Sequence, residues 1–371
     1  MSKISLLVPD LGQETYNRTK VLYEMLKNNF ELEIISINKD IKSKLFKDNF
    51  ENYKQIKYDL GTIINDLKKN VTGDIVYAIK SKPTSFGLAM SLKNIRKVPV
   101  VLDISAKESY NCFPYTDNTL KGILSTFYMV NDTNSYLYTK ILEKRIKLAD
   151  ELTVSSKLLQ KEYGGTLITN SVNEDIFNPS LYKINEIRET MGWKDKKVIF
   201  FGGIINRDTD IDLLIDSVEN INRNDLILVI VGDNKKYKES EKIRYIAYQP
   251  TENIAKLLSS SDIVIIPQKN THSSFGKIPI KFYEAILSEI PIICPDIYDF
   301  SDNLSVYCKV YKTGDKDSLS KTILDIIYNI EEFKVKSRNS RERYIENFGF
   351  KKMSEKLKNL FEKQLNKVEK N

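Results

Sequence analysis

Lys281 and Glu284 stand three residues apart near the start of the segment KIPIKFYEAILSEIPIICPD. On a helix that spacing puts both side chains on one face. An ammonium there can neutralise a phosphate, and a carboxylate can accept hydrogen bonds from two neighbouring hydroxyls, as on a ribose. The same pair also reads as a plain surface pair, with the glutamate favoured by the helix dipole. Arg207 lies four residues beyond Gly203 in FFGGIINRDTDIDLL. Its guanidinium fork suits phosphate oxygens, although a solvated loop charge has the same sequence signature. Gly202-Gly203 is either a tight turn or a place where backbone approaches a diphosphate. His272, the single histidine, sits in a polar loop with Ser273 and Gly276, and reads as solvated or as a ligand contact. Earlier in the chain, Gly12 and Glu14 follow a first strand, and Asp103 and Glu108 flank the end of another. Such carboxylates either cap helices or face a ligand.

The elements that must position these residues form two runs of alternating strand and helix. Strands are expected at Ile4–Pro9, Leu32–Ile37, Asp74–Lys80, Pro99–Ile104, Glu151–Ser155 and Thr166–Thr169. Residues 39–58 are polar and weakly patterned, and a long helix is expected over about Ser135–Ala149. A second run starts at Lys197, with strands at Val198–Phe201, Leu226–Val231, Ile243–Tyr248, Asp262–Pro267 and Pro291–Pro295. Residues 316–368 are amphipathic and helical in pattern. Strand–helix alternation demands parallel sheets with right-handed crossovers. In open sheets of that kind ligands bind beyond the carboxyl ends of the strands, where the candidate residues fall. The aromatic stretch with Phe113, Tyr115 and Phe127 is expected as core under a loop, or as a contact for an acceptor or membrane surface.

Composition narrows the classes. A chain of 371 residues suits two domains. Its net charge of +7 comes without a concentrated basic block, so nucleic acid is not expected as a partner. Cys112, Cys294 and Cys308 have neither zinc nor redox spacing, and no metal site is expected. No apolar run approaches the ~18–20 residues of a membrane span. The segment MSKISLLVPDLG reads as a first strand rather than a signal peptide. A cytoplasmic location follows as an expectation, with peripheral contact at the inner membrane face through basic helices such as Leu92–Lys97.

The segment SSFGKIPIKFYEAILSEIPIICPD resembles the nucleotide-sugar signature of retaining glycosyltransferases of family 4, with its Pro-x-Lys-x-x-Glu-Ala core. FFGGIINRDTDIDLL and IRYIAYQPTENIAKLLSSSDIVIIP are similar to the stretches that precede that signature, and VYAIKSKPTSFGLAM with PVVLDIS resembles an N-domain pattern of one branch. The resemblance implies a GT-B α/β fold, two Rossmann-like domains facing across a cleft, with a C-terminal helix crossing back to the N-domain. The implied divisions are 1–175 for the acceptor, 176–345 for the nucleotide-sugar and 346–371 for the helix. It implies a metal-independent enzyme without cofactor, moving a sugar from a nucleoside diphosphate-sugar donor to a glycan, lipid-linked or protein acceptor. Arg207 and Lys281 would neutralise the diphosphate, Glu284 would hold the ribose, and Gly12, Gly203, His272, Ser273 and Gly276 would line the donor. Asp103 would act in catalysis from the first domain. Where many members carry a further glutamate, this chain has Gly276, or Ser273 on realignment. The alternatives are a catalytically silent scaffold or binding subunit on the same fold, and a nucleotide-sugar epimerase. Asp208, Asp210 and Asp212 are expected to cap a helix rather than hold a metal.

Overall fold

The computed structural model describes residues 1–9, 13–38, 50–112, 135–232 and 237–368. Gly12 and the stretch with Phe113, Tyr115 and Phe127 lie outside these. The chain divides into two compact units. The first comprises Met1–Thr169, Phe275–Lys277 and Met353–Asn371; the second comprises Asn170–Ser274 and Ile278–Lys352.

In the first unit the strands are β1 (Lys3–Val8), β2 (Glu31–Asn38), β3 (Tyr53–Lys57), β4 (Ile75–Ile79), β5 (Val100–Ile104), β6 (Glu151–Val154) and β7 (Thr166–Leu167). All pair in parallel, in the order β3-β2-β1-β4-β5-β6-β7. Their helices are α1 (Gln13–Leu26), α2 (Ile63–Asn70), α3 (Leu88–Arg96), α4 (Glu108–Cys112), α5 (Tyr136–Lys144) and α6 (Lys157–Tyr163). β3 falls in the stretch whose sequence shows no strand pattern. It is an edge strand reading YKQIK, and only Ile56 is buried, so an alternating apolar signal is missing. The helix expected over Ser135–Ala149 ends at Lys144; the amide of Arg145 turns to the Leu142 carbonyl and a 3-10 turn, Ile146–Leu148, follows.

The second unit contains α7 (Ile184–Thr190), β8 (Lys197–Gly202), α8 (Ile211–Glu219), β9 (Leu226–Val231), β10 (Ile243–Ile246), α9 (Thr251–Ser259), β11 (Ile263–Ile265), α10 (Ile280–Leu287), β12 (Ile292–Pro295), α11 (Tyr298–Asp302), β13 (Lys309–Tyr311), α12 (Lys316–Tyr328) and α13 (Ile330–Phe348). Its strands are again all parallel, in the order β10-β9-β8-β11-β12-β13. The period of two sorts each strand onto two cores. Val198, Phe200, Val229 and Val231 pack on one face with α9 and α10 through Leu258, Phe282 and Ile286. Ile199, Phe201, Leu228 and Ile230 pack on the other with α8 and α12 through Leu214, Val218, Ile323 and Ile326. A parallel sheet buried on both faces is why these strands read as continuous apolar runs.

The final helix, α14 (Phe350–Val368), enters the first unit from Met353 onward. There the Phe361 ring meets Tyr77 edge-on at 5.1 Å. Lys356 Nζ donates to the Leu167 carbonyl at 3.1 Å, and Gln364 donates to Glu151 at 2.8 Å. No helix among the described residues is long and apolar enough to cross a membrane.

Candidate functional site

The strand order of the second unit reverses between β8 and β11. At such a reversal the loops leaving two neighbouring strands diverge and open a crevice at their carboxyl ends. Gly203 and Arg207 follow β8, while His272 and Ser273 follow β11 and lead on to α10 with Lys281 and Glu284. The sheet order thus gathers six sequence-predicted residues at one end of one sheet.

Gly203 is exposed and adopts φ +120°, a region that favours glycine. A Cβ on it would lie 3.5 Å from Lys281 Nζ, so this bare backbone adjoins the ammonium. Gly232 is held to the same requirement. At φ +146°, its Cβ would come within 2.6 Å of the Gly203 carbonyl oxygen. In sequence Gly232 reads only as the stop of β9, because its neighbour in space is 29 residues away by number (232 against 203).

Lys281 and Glu284 are partly buried on α10. Lys281 Nζ lies over the Phe201 ring, 4.1 Å from its centroid. Neither side chain makes a hydrogen bond or ion pair with a described residue. Burial pulls the Lys281 amine down to about 8, with Glu284 opposing the shift. Burial likewise pushes the Glu284 carboxyl up to about 7, with Lys281 opposing. Desolvated, oppositely charged groups with shifted titration are a feature of ligand-binding sites. Lys281 offers a cation, Gly203 an open backbone and Glu284 a carboxylate acceptor for hydroxyls. Together they suit a diol-bearing diphosphate.

Arg207 is exposed, with its Nε 3.9 Å from Asp208 Oδ1. His272 is exposed in a 3-10 turn, His272–Ser274, and Ser273 beside it is buried. The aspartates of the β8–α8 loop do not cap as expected. Asp210 holds the N-cap position of α8, but its side chain makes no capping bond. Asp208 instead accepts hydrogen bonds from Thr271 Oγ1 at 2.9 Å and Ser273 Oγ at 2.5 Å. Among the described residues no group of three or more His, Cys, Asp or Glu is placed to hold a metal.

Asp103 and Gly276 belong to the first unit. Asp103 does reach the end of β5, but its carboxylate is buried and engaged. Arg18 donates to Oδ2 at 3.0 Å and to Oδ1 at 2.7 Å, and Thr153 donates to Oδ1 at 2.7 Å. Glu108 is buried as well, 3.1 Å from Lys80 Nζ. Neither acid presents an open carboxylate to solvent. Gly276 is buried, with φ +70°, and a Cβ there would lie 2.7 Å from the Leu159 side chain.

Two doubly wound parallel-sheet units with a C-terminal helix returning to the first define the GT-B class of fold. Residues 183–347, which fall in the second unit apart from Phe275–Lys277, match the profile of "Glycosyl transferases group 1". The solved structures agree on the architecture. Sucrose-phosphate synthase from Thermosynechococcus elongatus superposes with a TM-score of 0.73 at 13% identity, over 98% of this chain and 99% of that one. Anabaena HepE in complex with UDP superposes at 0.71 with 12% identity, over 98% and 100%. HepE has also been solved with UDP-glucose. A glycosyltransferase from Rickettsia africae superposes at 0.69 with 17% identity, over 98% of each chain. No curated protein sequence matches the chain.

Proposed function

We propose that this protein is a retaining glycosyltransferase that moves a sugar from a nucleoside diphosphate-sugar to a glycan, lipid-linked or protein acceptor. The observation that carries the reading is the Lys281–Glu284 pair, partly desolvated and without a hydrogen-bond partner among the described residues, beside the open backbone of Gly203. The group 1 domain over residues 183–347 supports it, and a uridine nucleotide is the first donor to try because HepE was solved with UDP and UDP-glucose.

In this reading Glu284 accepts the two ribose hydroxyls and Lys281 and Arg207 meet the diphosphate. As the bond from the anomeric carbon to the diphosphate oxygen breaks, negative charge gathers on the leaving group. The two cations stabilise it there, each by ~2–4 kcal/mol. Retention needs no carboxylate nucleophile if the acceptor oxygen enters on the face the diphosphate leaves and the diphosphate takes its proton. That route agrees with the engaged carboxylate of Asp103. Asp103 then acts by holding α1 against β5, and acceptor binding is assigned to the first unit.

The test is a thermal-shift screen of nucleoside diphosphates and their sugar conjugates on the full chain, followed by transfer and donor-hydrolysis assays. A donor far above its Kd stabilises by a few kcal/mol. Glu284→Ala and Lys281→Ala should abolish both the shift and most turnover without unfolding the unliganded protein. Full activity in both variants sinks the assignment, and binding without hydrolysis or transfer would leave a silent binding subunit.

A further inference from the structure

We infer that Asp208 recognises the transferred sugar, its Oδ2 accepting a hydrogen bond from a sugar hydroxyl. The inference rests on the donor reading above and deepens it.

Asp208 sits where the loops leaving β8 and β11 are zipped together. Its carbonyl accepts from the Lys269 amide at 2.8 Å, Thr209 bridges Gln268, and the Asp210 amide donates to the Pro267 carbonyl at 2.6 Å. Its amide is fixed by Asn206 Oδ1 at 3.0 Å. The side chain is fixed too. Oδ1 takes the hydroxyls of both Thr271 and Ser273, which lie 3.0 Å from each other. Thr271 is held in turn through its carbonyl by Tyr298 Oη at 3.1 Å and Ser274 Oγ at 2.8 Å. Tyr298 itself adopts φ +48°, a strained value for an aromatic residue, at the carboxyl end of β12.

Oδ2 takes no hydrogen bond from a described residue, and the side chain remains 16% exposed. A carboxylate with one oxygen immobilised and the other open is a rigid acceptor aimed by its surroundings. The stretch from Lys269 to Lys277 contains no acidic residue, so the carboxylates of this loop cluster come from the β8–α8 loop; Asp210 there has Oδ1 3.8 Å from Lys269 Nζ, whereas Asp208 is the one held by the hydroxyls of Thr271 and Ser273. The ligand chemistry follows from its charge: a neutral sugar with a free hydroxyl is favoured, and a uronic acid is repelled. A clamp with no ligand role would use Oδ1 alone, and that distinction can be measured.

Asp208→Asn keeps an Oδ1 acceptor for Thr271 and Ser273 but replaces Oδ2 by an NH2 donor, so the clamp survives and the sugar contact is reversed. Calorimetry on the full chain compares wild type and Asp208→Asn with the nucleoside diphosphate that wild type binds and with its glucose, galactose, mannose and N-acetylglucosamine conjugates. The expected result is unchanged affinity for the free nucleoside diphosphate. For at least one conjugate, the ratio of conjugate to nucleotide affinity should fall roughly 10- to 100-fold, the range for a hydrogen bond to a charged group. Equal ratios in both proteins, or equal loss of nucleotide and conjugate affinity, overturn the inference. Wild type that binds no nucleoside diphosphate overturns the donor reading first, and this inference with it.

Discussion

At the scale of single residues, the pair on α10 carries a pH signature. Glu284 has its carboxyl at about 7 and Lys281 its amine at about 8. In the proposed reading donor binding needs the glutamate ionised and the lysine protonated, so kcat/KM should rise through about 7 and fall above about 8. Lys281→Arg should remove the alkaline limb, since a guanidinium stays charged there. A pH–rate profile whose alkaline limb is identical in the variant would contradict the assignment. Stability runs the other way. Glu284 sits above its ordinary value, so its contribution is full below about 4.5 and is lost as pH rises to about 7. Lys281 sits below its ordinary value, so the folded state regains stability only as pH rises from about 8 to 10.5. Near pH 7–8 both groups are held at a cost, as expected of a site organised for a ligand. The chemistry of 281 and 284 was legible from residue type and spacing, but the surroundings of Lys281 were not, because its amine lies over Phe201 and beside the backbone of Gly203, both distant in sequence.

At the scale of elements, the network around Asp103 joins α1, β5 and β6. Arg18 comes from α1 and Thr153 from β6, and Arg18 also donates to the Thr169 carbonyl at 3.2 Å. Both partners of the ion pair are buried, Arg18 at 3% and Asp103 at 0% exposure. Removing one charge strands the other, a loss on the order of 3–5 kcal/mol. Asp103→Asn should therefore lower the stability of the first unit in a urea titration, and Arg18→Met should do the same. Turnover normalised to folded protein should change far less. A variant of undiminished stability with turnover lost would return Asp103 to a direct chemical role. Sequence places Asp103 at a strand end correctly. It does not show that Arg18, 85 positions earlier, consumes the carboxylate.

At the scale of the whole molecule, each unit has its own sheet with buried apolar residues along its strands, and the chain returns to the first unit through α14. Phe361 is fully buried there, between Tyr77 and Phe30, with ring centroids at 5.1 and 6.0 Å. Phe361→Ala should cost about 3–5 kcal/mol in the first unit. The second unit holds the proposed nucleotide residues, so nucleotide affinity per folded protein should be unchanged. Calorimetry and denaturant titration together check this. Equal loss of affinity and stability would show that the units do not fold and bind independently.

Sequence by itself determined the two runs of parallel strands, because strands buried on both faces must be continuously apolar and separated by helices. It determined the chemistry offered by Lys281, Glu284, Arg207 and Gly203, because residue type and helical spacing are local properties. It could not reveal β3, whose edge position relieves it of an apolar pattern. Only the tertiary structure decided how the carboxylates are used. Asp103 is consumed by a distant arginine, while Asp208 is pinned through one oxygen by hydroxyls 63 and 65 positions away and takes no hydrogen bond from a described residue at the other. A carboxylate's role follows from what meets its two oxygens. Those partners are set by sheet order and loop pairing, which no local pattern encodes.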